Sequence, residues 1–385
     1  MIQKGLNLLI VFLLLAFNAC REPFDIELDA ADLSLLVVEG YVEVEGKESM
    51  ITLSRTLPLG SEASLAPEEN ARVFLESNSG QIWNFEEVSP GRYSFGEALD
   101  INQQYSLKIR LSNNREYASG YMEANASPEI DEIGFDRDED GISLFVSTQG
   151  SAEAAYYIWD FEETWNFRSA VTSSFLYDAE RDMVLPRTVE QRTDLCWKGS
   201  PSRGIIMESS KRFANDFIFR KEIHRIPLLS EKLGRRYSIL VRQRVVDREA
   251  FDFWEIMKKN SDDLSGIFSP LPSLMTSNIS NVDDPSENVI GHISLGASRE
   301  KRIFISNSEV SPWRIFIDDY ENCRYSSDTI PPSLYRGAFG GKNIVPVQEI
   351  TEGLAVLGYT GGSRACTDCT LRGSKEKPEF WVDDF

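Results

Sequence analysis

Five cysteines offer the clearest chemistry in this 385-residue chain, and they divide into one plus four. Cys20 ends an N-terminal apolar segment, whereas Cys196, Cys323, Cys366 and Cys369 lie in the second half of the chain. In an exported protein an even set of four predicts disulfide bonds, and four cysteines allow three pairings that spacing cannot separate. Cys366 and Cys369 also have half of the ligand spacing of a four-thiolate zinc site, and the spacing of a redox pair. A zinc site would need a second such pair, but Cys196 and Cys323 lie far apart in the sequence, and no thioredoxin-like pattern surrounds Cys366 and Cys369. We therefore expect disulfides.

Three aspartates, Asp136, Asp138 and Asp140, precede Gly141 in the pattern D-x-D-x-D-G. This spacing matches the first half of a calcium loop, in which alternate carboxylates converge on one ion. Ser147 stands where the bidentate acid of such a loop belongs. Aspartate followed by glycine between two alternating runs also suits a tight hairpin turn. We expect a hairpin, with calcium as the alternative, and we expect no other metal and no cofactor.

The most aromatic stretch, residues 156–167, reads as a strand. Tyr157, Trp159, Phe161 and Trp165 would share one of its faces, because side chains alternate along a strand. An exposed aromatic row would form a face for a partner or for sugar rings. The alternative is that the strand lies with this face on a hydrophobic core.

The local net charge is positive between Lys211 and Arg248, because this segment contains eleven basic and four acidic residues. Arg242 and Arg244 fall on one face of a predicted strand over residues 237–246. This basic face would meet an acidic partner or lipid phosphates, or would neutralise the protein's own carboxylates. Both interpretations remain open at the level of sequence.

The N-terminal segment determines the expected compartment. Lys4 precedes twelve apolar residues, 6–17, and the run ends at Asn18-Ala19-Cys20. Twelve residues are too few to cross a bilayer, so we expect a cleaved signal peptide over residues 1–19. A cysteine after a small residue resembles a bacterial lipoprotein signal, in which the Cys20 thiol carries the lipid and residues 20–34 form a tether. The alternative is a secreted protein in which Cys20 is incidental.

Composition limits the classes of partner. The formal net charge is -21, with 42% hydrophobic and 26% charged residues. These values are typical of a globular protein with a sizeable core, and the acidic balance makes nucleic acid an unexpected partner. Only two histidines, His224 and His292, are present.

The strand pattern predicts a mainly β protein. Seven short runs rich in β-branched and aromatic residues, bounded by turn residues, occupy residues 35–127, which is the spacing of an immunoglobulin-like or transthyretin-like β-sandwich. We place a larger β-rich domain at residues 128–385, with one inserted helix near 247–260 and the cysteines of its C-terminal region as covalent links.

Several short segments resemble a family of outer-membrane lipoproteins from Bacteroidota known as domain of unknown function 4249. They span most of the chain beyond the signal and are Cys196-Trp197, residues 236–243, Phe253-Trp254, Lys258-Lys259, residues 267–273, Asn278-Ile279, residues 289–291, residues 301–305, Cys366-Thr-Asp-Cys369 and residues 378–381. His292 stands where that family more usually has an aromatic residue. The family has no established catalytic residues to transfer. The resemblance implies an outer-membrane location and, by association, a TonB-dependent transporter as partner.

Three functions follow as hypotheses. The first is an accessory or cargo-binding lipoprotein, anchored by its lipid at the cell surface in preference to the periplasmic face. The second is a hydrolase of surface polysaccharide or protein, for which the sequence contains no G-x-S-x-G, H-E-x-x-H or phosphate-loop motif. The third is a structural spacer in an envelope complex. We expect a binding protein in preference to an enzyme.

Overall fold

The computed structural model describes most of the chain. The described residues are 34–57, 65–263, 277–324 and 326–383. The expected signal peptide and Cys20 lie outside these ranges. Among the described residues, no helix has the length and apolar character needed to cross a membrane.

Between residues 34 and 126, the regular elements of the described part of the chain are all strands, and all seven predicted runs are among them. In chain order they are β1 (Leu36–Glu43), β2 (Ser49–Thr56), β3 (Leu65–Pro67), β4 (Arg72–Ser77), β5 (Ile82–Asn84), β6 (Glu86–Ser89), β7 (Arg92–Phe95), β8 (Gln104–Arg110), β9 (Glu116–Ser119), β10 (Met122–Glu123) and β11 (Asn125–Ala126). The apolar and β-branched content of these runs favours pleated, half-buried backbone.

The rest of the chain adds fifteen strands and three α-helices within the described residues. They are β12 (Glu132–Arg137), β13 (Gly141–Gln149), β14 (Tyr156–Arg168), β15 (Phe175–Asp178), β16 (Met183–Pro186), β17 (Leu195–Pro201), β18 (Ile206–Ser209), β19 (Phe217–Pro227), β20 (Arg236–Val246), α1 (Arg248–Asp263), β21 (Ile279–Asn281), β22 (Val289–Ile290), β23 (Ser294–Ala297), β24 (Arg299–Ser306), α2 (Tyr335–Phe339), β25 (Ile344–Glu352), β26 (Ala355–Ser363) and α3 (Arg364–Thr367). The protein is therefore mainly β, as predicted.

The first unit is a β-sandwich built from β1–β11 together with β21–β23. One sheet has the order β11-β23-β1-β2-β7-β6, and the other has the order β21-β9-β8-β4-β5. Apolar side chains of both sheets share one core, which includes Leu36, Leu53, Leu107 and Leu295. The sandwich fold predicted for this part of the chain is confirmed.

The boundary of the first unit differs from the sequence-based one. The sequence pattern assigns residues 279–297 to the second domain, whereas β22 and β23 pair in parallel with β1, and β21 pairs with β9. Gly291 lies at the crossing from β22 to β23 with φ +134°, and a Cβ atom there would stand 2.0 Å from the Val38 carbonyl oxygen. Only glycine allows this close approach of two backbones.

The second unit is also sandwich-like. A sheet of order β12-β13-β19 faces a sheet of order β17-β14-β20-β24, and one hydrophobic core contains residues of both, such as Leu144, Ile226, Trp159 and Val241. Helix α1 confirms the predicted helix: Asp247 Oδ1 accepts a hydrogen bond of 2.7 Å from the Ala250 amide, as an N-cap does. A smaller cluster around Tyr335, Phe339 and Tyr359 joins the hairpins β15–β16 and β25–β26 to α2.

Candidate functional site

A cleft of about 840 Å³ lies where the two units meet, and we call it the interunit cleft. Its walls come from β1, β2, β7 and β23 of the first unit and from β14, β20, β24 and α1 of the second. The residues that line it are Gly40, Tyr41, Glu43, Lys47, Glu48, Met50, Arg92, Ile158, Glu162, Arg242, Arg244, Val246, Trp254, His292, Ser294 and Glu300. Its volume falls within the range of about 300–1,000 Å³ that is common for small-molecule sites.

On the second-unit side, the cleft is lined by arginines whose charges are already paired. Arg242 contacts Asp160 at 2.9 Å and Glu300 at 2.6 Å, and Arg244 forms a close ion pair with Asp160. Burial would raise the pKa of the Glu300 carboxyl, but the hydrogen bond and charge of Arg242 outweigh it and hold this pKa below its usual range. The basic face predicted from sequence therefore neutralises the protein's own carboxylates while it lines the cleft.

On the first-unit side, β1 contributes a tyrosine and a buried carboxylate. The Arg244 guanidinium lies 5.0 Å from the centre of the Tyr41 ring. Glu43 is 5% exposed, accepts a hydrogen bond of 3.1 Å from the Ser298 amide, and has an oxygen 3.9 Å from Arg244 Nε. Burial, with the nearby charge of Glu43, raises the pKa of the Tyr41 hydroxyl, so Tyr41 is neutral at physiological pH.

Four polar atoms of the cleft-lining residues have no hydrogen-bond partner among the described residues. They are Tyr41 Oη, Arg244 Nε, His292 Nδ1 and Ser294 Oγ. His292 and Ser294 are 5% and 6% exposed. Burial lowers the pKa of His292, so its imidazole is uncharged at neutral pH. All four atoms are buried within the walls of the cleft.

The remaining wall is apolar and aromatic. Trp254 of α1 is half-buried, packs edge-on against Phe253 at 5.4 Å, and contacts the cluster of Val246, Phe251 and Ile158. An indole that is only partly covered presents a flat apolar surface beside the polar groups of the cleft.

The aromatic row predicted as a possible partner face is buried instead. Tyr157, Trp159, Phe161 and Trp165 are 0%, 1%, 6% and 7% exposed and lie in the core of the second unit. The interpretation as an exposed face is therefore wrong. The sheet that contains β19 covers this face, and the Trp159 indole N–H donates a hydrogen bond of 2.9 Å to Gln243.

All four distal cysteines form disulfide bonds, which confirms the prediction and excludes the zinc and redox alternatives for these thiols. Cys196 pairs with Cys369, and Cys323 pairs with Cys366. Within the described residues, no group of three or more histidine, cysteine, aspartate or glutamate side chains is placed to hold a metal ion.

The D-x-D-x-D-G segment forms the turn between β12 and β13. Asp138 Oδ1 accepts hydrogen bonds of 2.9 Å from the amides of Asp140 and Gly141. Arg225 pairs with Asp138 at 2.8 Å, and Arg220 pairs closely with Asp136. Asp136 and Asp138 thus bond the turn itself and the neighbouring strand β19.

A second cavity, of about 480 Å³, lies beside a buried carboxylate cluster in the second unit. Glu163 is 4% exposed, accepts a hydrogen bond of 3.0 Å from the Tyr237 hydroxyl, lies 3.2 Å from His224 Nε2, and pairs closely with Lys232. Burial alone would raise the pKa of the Glu163 carboxyl, but His224 and Lys232 outweigh it and hold this pKa below its usual range. The carboxylate is therefore ionised and fully engaged, which suits a structural role.

We expect Glu163→Gln to lower the free energy of unfolding at pH 7 by about 2 kcal/mol, because hydrogen bonds to charged groups are lost. A carboxyl whose pKa is lower in the folded state stabilises the fold above its unfolded pKa of about 4.3, and this contribution disappears as pH falls through the folded pKa. Urea unfolding between pH 7 and pH 3 should therefore show a smaller acid-induced loss in the variant than in the wild type. Glu86→Gln, at an exposed position, is the control. Equal acid-induced losses in the wild type and the Glu163 variant would contradict this role.

Sequence reasoning missed most of the residues that line the cleft. His292 was noted only as a departure in packing, and Tyr41, Ser294 and Trp254 were not considered as site residues. The sequence offered little signal for them. Glu43 shares one face of β1 with Glu39 and Tyr41, opposite the core residues Val38, Val42 and Val44, so the alternation does not distinguish it from a solvent-facing residue.

The fold and the cleft together define a class, a β protein of two sandwich-like units with a pocket at their junction. Within that class, the chain belongs to the family described as Domain of unknown function (DUF4249), whose model matches residues 21–302. The match confirms the family predicted from the sequence.

Comparisons outside the family add no argument about function. No curated protein matches the chain. The crystal structure of a Salmonella alpha-2-macroglobulin mutant, Y1175G, is similar over 56% of this chain, with 10% identity and a TM-score of 0.18. The similar region covers 14% of that protein's chain.

Proposed function

We propose that this chain is a lipid-anchored binding protein of the outer membrane that takes up a ligand in the interunit cleft. The observation that carries the proposal is the interunit cleft itself, which has a volume of about 840 Å³ and combines charged side chains with the aromatic rings of Tyr41 and Trp254. This volume and this mixed lining are typical of sites that bind small molecules.

The anchor and the partner are the other two parts of the proposal. Cys20 follows an apolar segment and a small residue, which supports lipidation and anchoring to a membrane. A location at the cell surface is part of the same proposal. A TonB-dependent transporter is proposed as the partner because the sequence resembles lipoproteins associated with such transporters. In this arrangement the chain captures cargo and delivers it to the transporter.

Two features favour binding over the alternatives. A glycosidase that uses paired carboxylates needs one of them protonated near neutral pH. Glu300, in the cleft, has the opposite bias, because Arg242 holds its pKa low. A spacer needs no pocket, whereas Tyr41 and Trp254 give this cleft an aromatic lining.

The test is mass spectrometry of the protein isolated under mild detergent from the membranes of its own cells. We expect a mature chain that begins at lipidated Cys20, a co-purifying transporter, and a non-covalent small-molecule adduct. Met50→Trp, which narrows the cleft, should lose the adduct, while Met183→Trp, at a 44% exposed position outside the cleft, should retain it. An unlipidated chain would overturn the anchor, and an adduct that is absent or unaffected by Met50→Trp would overturn the binding role.

A further inference from the structure

Most of the carboxylates that line the interunit cleft are already paired with arginines of the same cleft. Three of the four have an oxygen atom between 2.6 and 3.9 Å from an arginine nitrogen, and they belong to Glu43, Glu162 and Glu300. The fourth, Glu48, accepts a hydrogen bond of 2.8 Å from the Ser94 hydroxyl. A cationic ligand would have to compete with an arginine for three of these four carboxylates.

The other two cations of the cleft, Lys47 and Arg92, are not paired in this way. Within the described residues, no carboxylate oxygen lies within 4.0 Å of a side-chain nitrogen of either residue. Lys47 Nζ donates a hydrogen bond of 3.2 Å to the Ser298 carbonyl oxygen, which holds the ammonium in place without neutralising it. Arg92 is exposed. An anion can therefore gain two counter-charges in this cleft without breaking an ion pair.

Strand pairing places Arg92 beside aromatic and apolar side chains. Tyr41 of β1 lies opposite Met50 of β2, and Met50 lies opposite Ser94 of β7, two residues along from Arg92. Since side chains alternate along a strand, Tyr41, Met50 and Arg92 share one face of the sheet. Trp254 of α1 contributes a half-buried indole from the second unit. A molecule that binds Arg92 thus has aromatic and apolar surface within the same cleft.

We propose that the interunit cleft binds an organic anion that carries one carboxylate or phosphate group on an aromatic or aliphatic body. This inference rests on the proposed function, because it names the ligand class of the same cleft. Lys47 and Arg92 bind the anionic group, and Tyr41, Met50 and Trp254 contact the body of the ligand.

The test uses the full-length mature protein and isothermal titration calorimetry. Phenylbutyrate and phenyl phosphate are the anionic probes, and phenylbutyramide and phenylbutylamine are the neutral and cationic counterparts of the carboxylate. Acetate and inorganic phosphate present the anionic group without a body. We expect at least one aromatic anion to bind, and phenylbutyramide, phenylbutylamine and the two small anions to bind at least about tenfold more weakly.

Lys47→Gln and Arg92→Gln each remove a positive charge while they keep a hydrogen-bond donor. Each should weaken binding of the aromatic anion by about fivefold to thirtyfold, since a charge-assisted hydrogen bond is lost. Binding of neutral phenylbutyramide should not change in either variant. The control is Arg192→Gln, at an exposed arginine outside the cleft with no ion pair among the described residues, and it should bind every probe as the wild type does. Equal losses for the anion and the amide would show a change in cleft shape and would overturn the role of charge.

The outcomes separate this inference from the proposed function. If the wild type binds phenylbutyramide as tightly as phenylbutyrate, the ligand class is wrong, and the binding role stands provided that the adduct from native membranes is lost in Met50→Trp. If none of the probes binds, the adduct released from native membranes decides, because a carboxylate or phosphate supports the inference and a neutral or cationic compound contradicts it. An adduct that is absent or unaffected by Met50→Trp overturns both proposals.

Discussion

Replacing both Cys196 and Cys369 by alanine is expected to lower the free energy of unfolding by about 5 kcal/mol, which is the loop-closure entropy of so long a loop. This disulfide joins residues 173 positions apart, so its loss frees the largest covalent loop in the described chain. Both half-cystines are 0% exposed and lie in the core of the second unit, so the alanines also leave unfilled space there. Urea unfolding followed by tryptophan fluorescence measures the change.

The matched control is the double alanine variant at Cys323 and Cys366. Its loop spans 43 residues, for which the same relation gives about 4 kcal/mol. Cys323 is only partly buried, so its replacement removes less packing. The measured difference in unfolding free energy between the two variants should therefore exceed the difference that loop length alone gives. A smaller effect at Cys196 and Cys369 than at the control pair would show that packing and loop length do not control this stability.

Trp159→Ala is expected to destabilise the protein by about 3–5 kcal/mol, the cost of removing a large aromatic side chain from a core. Trp159 is 1% exposed, stacks on Tyr157 at 5.6 Å, and donates its indole N–H to Gln243. Gln243 is 0% exposed and also donates a hydrogen bond of 2.9 Å to the Pro128 carbonyl, so it connects β20 to the segment between β11 and β12. The substitution therefore leaves a cavity and an unpaired amide oxygen.

Phe219→Ala provides the comparison, because Phe219 is an aromatic residue of the same unit that is 62% exposed. We expect its free energy of unfolding to change by less than about 0.5 kcal/mol. The loss of stability in Trp159→Phe should lie between those of Trp159→Ala and Phe219→Ala, since phenylalanine keeps a ring in the core but cannot make the hydrogen bond to Gln243. If Trp159→Ala unfolds at the same urea concentration as the wild type, the aromatic face of β14 is not part of the core.

Local sequence patterns predicted the positions of the strands and of the helix, but they did not determine which faces of these elements are buried. Alternation correctly placed Tyr157, Trp159, Phe161 and Trp165 on one face of a strand, because the period of two is a property of the backbone. It could not determine whether that face meets water or a second sheet, since the covering strand β19 begins some fifty residues later. The helix near residues 247–260 could be predicted because its N-terminal signals, the cap residue Asp247 and Glu249 in the first turn, lie within a few residues of each other. The structure continues it to Asp263, beyond Lys258 and Lys259, which the sequence places in the last turn.

The cleft and the disulfide pairing depend on contacts between distant parts of the chain. Tyr41 and Ser294 are separated by about 250 residues, and they meet only because β23 pairs with β1. The sequence of residues 289–297 predicts a strand, but it does not identify the strand with which this segment pairs. Cys196 and Cys369 are likewise brought together by the fold, and spacing alone left three pairings open.

The parallel pairing of β23 with β1 also affects how copies of this protein can associate. Without β23, β1 becomes an edge strand, with open backbone groups along one side until the chain has been completed through residue 297. The segment that closes this edge is the same in every copy. At high concentration during refolding, β21–β23 of one molecule can therefore close the sandwich of another, which makes this protein a candidate for domain-swapped dimers in which each first unit contains two chains.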